Sequence, residues 1–155
     1  ESGWSAFLRH LMDRGLSGVQ LVVSDACRGL VERVTEYLPD TRWQRCVVHF
    51  YRNVFSLVPS GKVREVSKML KAIHAQEDRK AAAEKMSAVI AELRRQKLNK
   101  AADLLKESGY ETLTYYAFPD SHWIKLRTNN PLERIMREIR RRTRVVAHSR
   151  MVNPA

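Results

Sequence analysis

Cysteine is scarce in this sequence, and long hydrophobic runs are absent. Two cysteines in 155 residues are too few for a disulfide framework and are typical of a reducing cytoplasm. The longest apolar stretches, such as residues 21–23 and 145–147, fall far short of the roughly 18 residues that a membrane helix needs. The first residues contain no basic segment followed by an apolar one, which argues against a secretory signal. The chain opens on Glu1 rather than methionine, so we expect a piece of a longer protein.

Acidic residues are also under-represented. The chain has 28 Lys and Arg against 17 Asp and Glu, a net charge of +11. With 44% hydrophobic residues it can still bury a core, which argues against disorder, and its length suits one domain or one domain with an insertion. Residues 123–155 hold nine of the basic residues and only two acidic ones. A polyanion is the partner that this distribution favours, although a solvated basic helix without a partner would look the same.

The first third of the chain alternates between helical and strand patterns. Apolar residues at helical spacing predict helices over residues 4–16 and 27–38. Short runs rich in β-branched residues predict strands over 19–24 and 41–49. A strand, a helix and a strand with short links indicate a parallel crossover, which brings both carboxyl ends to one sheet edge. Asp25 and His49 would lie at that edge, where ligands of open α/β sheets gather.

The remainder is mostly helical. Residues 50–109 carry apolar stripes at helical spacing, with breaks near residues 59–61, 76–79 and 98–99. An irregular stretch follows Gly109, and a final helix is predicted from Pro131 to about Arg144. Asn130 would be its N-cap, and Glu133 falls three residues later, as in a capping box.

Two carboxylates are the candidate catalytic groups. Asp25 could instead cap the second helix, and Glu133 could be the reciprocal capping glutamate. A carboxylate at a sheet edge, another after a helical insertion and an arginine-rich face beside it are together typical of metal-dependent phosphoryl transfer. Magnesium prefers such oxygen ligands. Both carboxylates are therefore candidate metal ligands.

Cys46 and His49 have the spacing of half a zinc site, but the sequence offers no second pair. We expect a buried Cys46 with His49 as a hydrogen-bonding group near the active edge, and no nucleophilic role for Cys27. Trp123 could pack the insertion against the rest of the domain. It could instead stack on an unpaired base, with His122 or Lys125 on a phosphate.

Three segments resemble the catalytic half of Mutator-type bacterial insertion-sequence transposases. They are VVSDACRGL around Asp25, RCVVHF with its Cys-x-x-His signature, and FPDSHWIKLRTNNPLERIMREIRRRTRVV around Glu133. The resemblance implies a ribonuclease-H-like fold with an all-helical insertion and an Asp-Asp-Glu triad that binds two divalent metals, Mg²⁺ or Mn²⁺. Asp25 matches the second aspartate, Glu133 the glutamate, and Cys46 with His49 the signature pair. Glu138 is a decoy, since it lies about 140° further round the helix.

The resemblance also implies what is missing and what is bound. The first aspartate should lie on an upstream strand, whereas Asp13 falls in a helix, so this chain should be inactive alone. The expected partners are transposon-end and target DNA and further copies of the protein, in the bacterial cytoplasm at the nucleoid and without a membrane. The residues predicted to contact DNA are His122, Trp123, Lys125, Arg127, Arg134, Arg137, Arg140, Arg141, Arg142 and Arg144.

The sequence thus predicts an α/β fold: a partial ribonuclease-H-like core with few parallel strands, predominantly helical overall. Residues 1–58 would form the partial core, 59–118 the helical insertion, and 119–155 the final catalytic helix and basic tail. Two strands alone are marginal in water, so we expect an exposed apolar edge. The predicted function is that of a transposase fragment for metal-dependent DNA cleavage and strand transfer. The alternative is a basic DNA-binding module without chemistry.

Overall fold

The computed structural model describes residues 3–151, and their side chains apart from residue 131 and residues 144–151. Most of this range is helical, with one small sheet. The elements in chain order are α1 (Gly3–Asp13), β1 (Leu21–Ser24), α2 (Arg28–Tyr37), β2 (Arg42–Arg45), α3 (Val47–Phe55), α4 (Val63–Ile73), α5 (Arg79–Arg95), α6 (Asn99–Ser108), α7 (Trp123–Leu126) and α8 (Asn130–Met151). Short 3-10 segments cover Ser60–Lys62, Gly109–Ala117 and Asp120–His122.

The sheet consists of β1 and β2, which pair in parallel on either side of α2 in the chain. Leu21 lies opposite Arg42, and Ser24 lies opposite Arg45. The predicted parallel crossover is confirmed. Both strands therefore end at the same edge, with Asp25 directly after β1.

The second strand is shorter than predicted. We expected it to reach His49, but it ends at Arg45 and α3 begins at Val47, so that His49 lies in the first turn of a helix. The run of β-branched residues suits either structure. Helix prevails because Val47, Phe50 and Val54, at helical spacing, are all buried.

The core lies in the helical part of the chain, as the apolar stripes predicted. The breaks between its helices also fall where they were expected, including the turn between α5 and α6, where Lys97 adopts a φ of 61°. The core side chains that are most completely buried come from α3 to α6 and the following 3-10 segment: Phe50, Val54, Val66, Leu70, Ile73, Met86, Leu93, Leu105 and Leu113.

The stretch after Gly109 is more ordered than its irregular sequence suggested. It forms a nine-residue 3-10 segment in which Thr112, Leu113 and Tyr115 are buried. The Tyr115 amide donates to Oε1 of the buried Gln44, at 2.9 Å. A side chain of β2 thereby ties the helical part of the chain to the sheet.

Large apolar side chains remain exposed at both ends of the described range. Trp4 and Phe7 of α1 are 38% and 50% exposed, and β1 is only partly buried along most of its length. Along α8, Leu132 and Ile135 are 60% and 57% exposed. Exposed apolar side chains thus lie on α1 and on α8, whereas β1, where an exposed apolar edge was expected, is partly buried. Within residues 3–151, no helix combines the length and the apolarity needed to cross a bilayer.

Candidate active site

Cys46 joins the sheet edge to the start of α8. Its amide donates to the carbonyl of Ser24 at 2.8 Å, which continues the strand pairing by one residue. Its buried Sγ donates to Asn129 Oδ1 at 3.1 Å. The next amide, of Val47, donates to the carbonyl of Arg127 at 3.0 Å. As expected, Cys46 is buried, and these contacts attach the residues before α8 to the carboxyl edge of the sheet.

His49 lies against Glu133. Its Nε2 is 3.4 Å from Glu133 Oε1, and the two side chains are 22% and 38% exposed. The other ring nitrogen, Nδ1, is buried without a hydrogen-bond partner among the described residues. The histidine of the Cys-x-x-His segment thus lies next to the carboxylate of Glu133.

Glu133 does not complete a capping box. Its amide donates to the carbonyl of Asn129 at 3.1 Å, which makes Asn129 the N-cap and places Glu133 four residues after it. The predicted cap at Asn130 is therefore wrong by one residue. Asn129 does not cap with its own side chain, because its Oδ1 accepts the hydrogen bond from Cys46. The predicted helix also continues past Arg144, to Met151.

Asp25 does not cap α2 either. That helix begins at Arg28, and its N-cap, Cys27, makes no side-chain capping bond. Asp25 is exposed, and its Oδ1 accepts a hydrogen bond from the amide of Ala26 at 2.8 Å. The preceding Ser24 is held by two bonds of its hydroxyl, one accepted from Trp43 Nε1 at 2.9 Å and one donated to the Asp25 carbonyl at 2.8 Å.

The two candidate carboxylates thus border one junction. Asp25 follows Ser24, whose carbonyl binds Cys46, while Glu133 contacts His49 three residues after Cys46. Within the described part of the chain, no three His, Cys, Asp or Glu side chains are arranged to hold a metal ion. The Cys-x-x-His pair accordingly has no second half of a zinc site there.

The carboxylate of Glu138, the nearby acidic residue that was not assigned to the catalytic site, is hydrogen-bonded to two arginines. Arg141 donates to both of its carboxylate oxygens, at 2.9 and 2.6 Å, and Arg142 donates to Oε1 at 2.8 Å. The hydrogen bonds from these two side chains lower the pKa of Glu138 to about 2. Its carboxylate therefore stays ionised and committed to this cluster.

Three further arginines of α8 face solvent. Arg134, Arg137 and Arg140 are exposed and form no ion pair among the described residues. Arg134 and Arg137 also line an open cavity of about 950 Å³ between α7 and α8. The side chain of Arg144 lies outside the described residues. The structure thus leaves a row of uncompensated cations beside Glu133.

Trp123 packs against the helical part of the chain. Its ring meets Tyr115 and Tyr116 edge-on, with centroids 5.8 and 4.6 Å away, and its Nε1 donates to the Phe118 carbonyl at 2.7 Å. This geometry matches the packing interpretation of the motif. His122 and Lys125 are exposed, and their contact with DNA stays a prediction.

Arg127 is built into a buried network that the sequence did not reveal. Its Nη1 donates to the carbonyl of His74 at 2.8 Å, and its guanidinium lies 5.7 Å from the Tyr115 ring centre. His74 Nδ1 is 2.7 Å from the Tyr51 hydroxyl, and its Nε2 is 3.0 Å from Thr112 Oγ1. Burial lowers the pKa of His74 to about 4, so this histidine is neutral. His74 follows Leu70 by four residues, a spacing that marks it for the core.

Arg45 is a second residue that sequence patterns missed. It is buried, its Nη1 donates to Glu111 Oε2 at 3.0 Å, and its guanidinium lies 4.9 Å from the Phe50 ring centre. It therefore joins the end of β2 to the 3-10 segment and to α3.

Comparison with known proteins identifies the family. Residues 1–149 match the model described as "Transposase, Mutator family". The chain belongs to the Mutator family of transposases. The predicted family resemblance is therefore confirmed.

Individual insertion-sequence transposases are similar over nearly the whole chain. The transposase for insertion sequence element IS1081 of Mycobacterium tuberculosis is 40% identical over 145 residues, which are 94% of this chain and 35% of that protein. The transposase for IS406 of Burkholderia multivorans is 38% identical over 95% of this chain and 38% of its own length. The transposase for IS256 in transposon Tn4001 of Staphylococcus aureus is 33% identical, with 94% and 37% covered. This chain thus spans little more than a third of the length of each of these three relatives.

Proposed function

We propose that this chain is the part of a Mutator-family transposase that carries two of its catalytic carboxylates, Asp25 and Glu133. The observation that supports this most is that both residues adjoin the segment around Cys46: Asp25 follows Ser24, whose carbonyl accepts the Cys46 amide at 2.8 Å, and Glu133 lies 3.4 Å from His49. The relatives are named as transposases of insertion sequences. The reaction would be metal-dependent nicking of DNA at transposon ends, followed by attack of the freed 3′-hydroxyl on target DNA.

The two carboxylates are of the chemical type that binds a divalent metal ion. Both are oxygen donors accessible to solvent, which is what Mg²⁺ or Mn²⁺ requires. When bound, the metal would activate the attacking oxygen and neutralise charge on the phosphate. His49 would fix the direction of the Glu133 carboxylate, while the Ser24 hydroxyl would fix the backbone that carries Asp25. Glu138 is not part of this site because arginines occupy its carboxylate.

The exposed arginines of α8 would bind DNA phosphates. Arg134, Arg137 and Arg140 have no acidic partners among the described residues, so their charge is available to a polyanion. Each phosphate that they neutralise should add about 0.9 to the log–log salt dependence of DNA binding.

On its own, the 155-residue chain should bind DNA without cleaving it. The resemblance implies a third carboxylate that is not among these residues, and two ligands alone hold a metal weakly. A non-catalytic basic DNA-binding module is the second candidate, and the exposed arginines of α8 favour it equally. The two functions differ in whether Asp25 and Glu133 share a metal ion.

Manganese binding tests this difference in the isolated chain. In ¹H–¹⁵N spectra, substoichiometric Mn²⁺ should broaden the amide signals around Asp25 and around Glu133 together, because one ion lies near both. D25N and E133Q should each abolish the joint broadening. The matched control is E138Q, which removes a carboxylate of the same helix and should preserve it. Broadening near only one of the two residues would contradict the shared site.

Catalysis itself is testable in a longer protein. The IS406 transposase with this chain in place of its matching segment should nick supercoiled plasmid in the presence of Mn²⁺. D25N and E133Q should remove the nicking, and E138Q should retain most of it. Nicking that survives either of the first two substitutions would refute the catalytic assignment.

A further inference from the structure

A cavity of about 570 Å³ lies between α3, α4 and the link from α7 to α8. Lys71 and Ala75 line it from the helical part of the chain, Tyr51 from α3, and Arg127 and Asn130 from the link and the start of α8. The size is that of an ordinary ligand site. The cavity is open to solvent and therefore suits a segment of a longer molecule.

The charged side chains described in the lining of this cavity are all positive. Its described lining contains Lys71 and Arg127 but no aspartate or glutamate. The Tyr51 hydroxyl, also in the lining, is already bonded to the Leu70 carbonyl at 2.8 Å and lies 2.7 Å from His74 Nδ1, so the charge comes from Lys71 and Arg127. The cavity thus offers positive charge, which is the chemistry that binds a phosphate.

Neither cation has an acidic partner within the described residues. Arg45, Arg94 and Arg141 each form an ion pair with a carboxylate, whereas Lys71 and Arg127 form none that the structure describes. Arg127 is moreover half-buried. A partly desolvated charge without a counterion is costly, so an anion that neutralises it binds favourably.

Arg127 is also held in position before any ligand arrives. Its Nη1 is bonded to the His74 carbonyl, its guanidinium lies over Tyr115, and its own carbonyl accepts the amide of Val47. A guanidinium fixed in this way loses little further freedom on binding a phosphate. Asn130, on the same lining, is three residues before Glu133. The cavity lining and the candidate catalytic carboxylate thus share the first turn of α8.

We propose that this cavity binds a phosphodiester group of DNA, with Arg127 and Lys71 as its ligands. The proposal rests on the proposed function and extends it, because α4 belongs to the helical part of the chain and not to the arginine-rich helix. The helical part of the chain would then bind the backbone of the DNA strand next to the site of cleavage.

The test compares two lysines of α4. Lys71 lines the cavity, whereas Lys68, one turn earlier and also exposed, lines a different one. K71Q and K68Q remove the same charge from the same helix, and neither lysine side chain makes a hydrogen bond or an ion pair that the structure describes. Binding of a fluorescent 30-base-pair duplex to the 155-residue chain would be followed by anisotropy between 50 and 250 mM KCl. Thermal midpoints would verify that both variants fold.

Loss of one phosphate contact in K71Q should weaken binding roughly fivefold at 100 mM KCl and reduce the log–log salt slope by about 0.9. K68Q should change both quantities much less. Equal effects of the two substitutions would overturn the cavity proposal and leave only general attraction. Failure of the unmodified chain to bind DNA at 50 mM KCl would instead count against the proposed function as well.

Inorganic phosphate distinguishes DNA from a small anion as the ligand. For a DNA site, potassium phosphate should displace the duplex no better than potassium chloride of equal ionic strength. If K71Q abolishes binding of inorganic phosphate in calorimetry but leaves the DNA salt slope unchanged, the cavity is a site for a small phosphate and the proposal is wrong.

Discussion

His74 should make this chain lose stability as the pH falls from about 6.5 towards 4. The histidine is 7% exposed and neutral, and its pKa is lowered to about 4 by burial. The charged group nearest to it is Arg127, and Tyr51 and Thr112 face its two ring nitrogens. In the unfolded chain its pKa returns to about 6.5, so the unfolded state binds the proton first.

The sign and size of the effect follow from linkage. A histidine whose pKa is lowered by folding contributes its full stability above pH 6.5 and loses it as the pH falls towards the folded-state value. A pKa of about 4 against 6.5 corresponds to a loss on the order of 3 kcal/mol. This is a large part of the roughly 5–15 kcal/mol by which domains are stable.

The loss of stability due to His74 can be measured by urea unfolding. The unmodified chain and H74Q would be compared at several pH values between 7.5 and 4. Glutamine keeps hydrogen-bonding atoms at the site but does not titrate, and the carboxylates titrate alike in both proteins. H74Q should be the less stable protein at pH 7.5, and the difference should shrink by about 3 kcal/mol as the pH reaches 4. If the two stability curves stay parallel throughout, His74 is not a buried neutral histidine and its network is misassigned.

Two further predictions concern backbone positions. At Gly109 an added Cβ would lie 2.7 Å from Met86 Sδ, which is fully buried, so G109A should lose about 1–2 kcal/mol in urea unfolding through overpacking. G61A, where nothing lies within 4 Å, should change little, and an equal loss there would contradict the packing explanation. Lys97 has a φ of 61°, a conformation that glycine adopts freely. K97G should therefore raise the free energy of unfolding by about 0.5–1 kcal/mol. The control K106G, inside α6, should lower the free energy of unfolding by about 1 kcal/mol. A melting temperature lowered by K97G would show that the backbone at Lys97 is not strained.

Periodic patterns predicted the elements of this fold well. Apolar residues at helical spacing located α2 to α6, and the two strand runs gave the correct parallel pairing. The patterns failed at the boundary between β2 and α3, because Val47 and Val48 suit both a strand and a helix. His49 was consequently placed at a strand end, although it lies in a helix.

The site could be predicted only in part. Asp25, Cys46, His49 and Glu133 were recognised from motifs, but their mutual contacts depend on folding. The bond between Cys46 and Asn129 joins residues 83 positions apart, and no local pattern encodes it. Arg127 was grouped with the other basic residues by charge alone, although it is partly buried in a network around His74.

The way in which α8 is attached has a mechanical consequence. Among the described side chains, its bonds to the body of the molecule lie at its beginning, around Asn129 and Glu133, while Leu132 and Ile135 are open to solvent. A helix of 22 residues is about 33 Å long. A tilt of 10° at its first turn would thus move its far end by about 6 Å, close to the distance between neighbouring phosphates on a strand. The alignment of the distal arginines with a DNA backbone is therefore governed by a few side chains around Cys46, far from the arginines themselves.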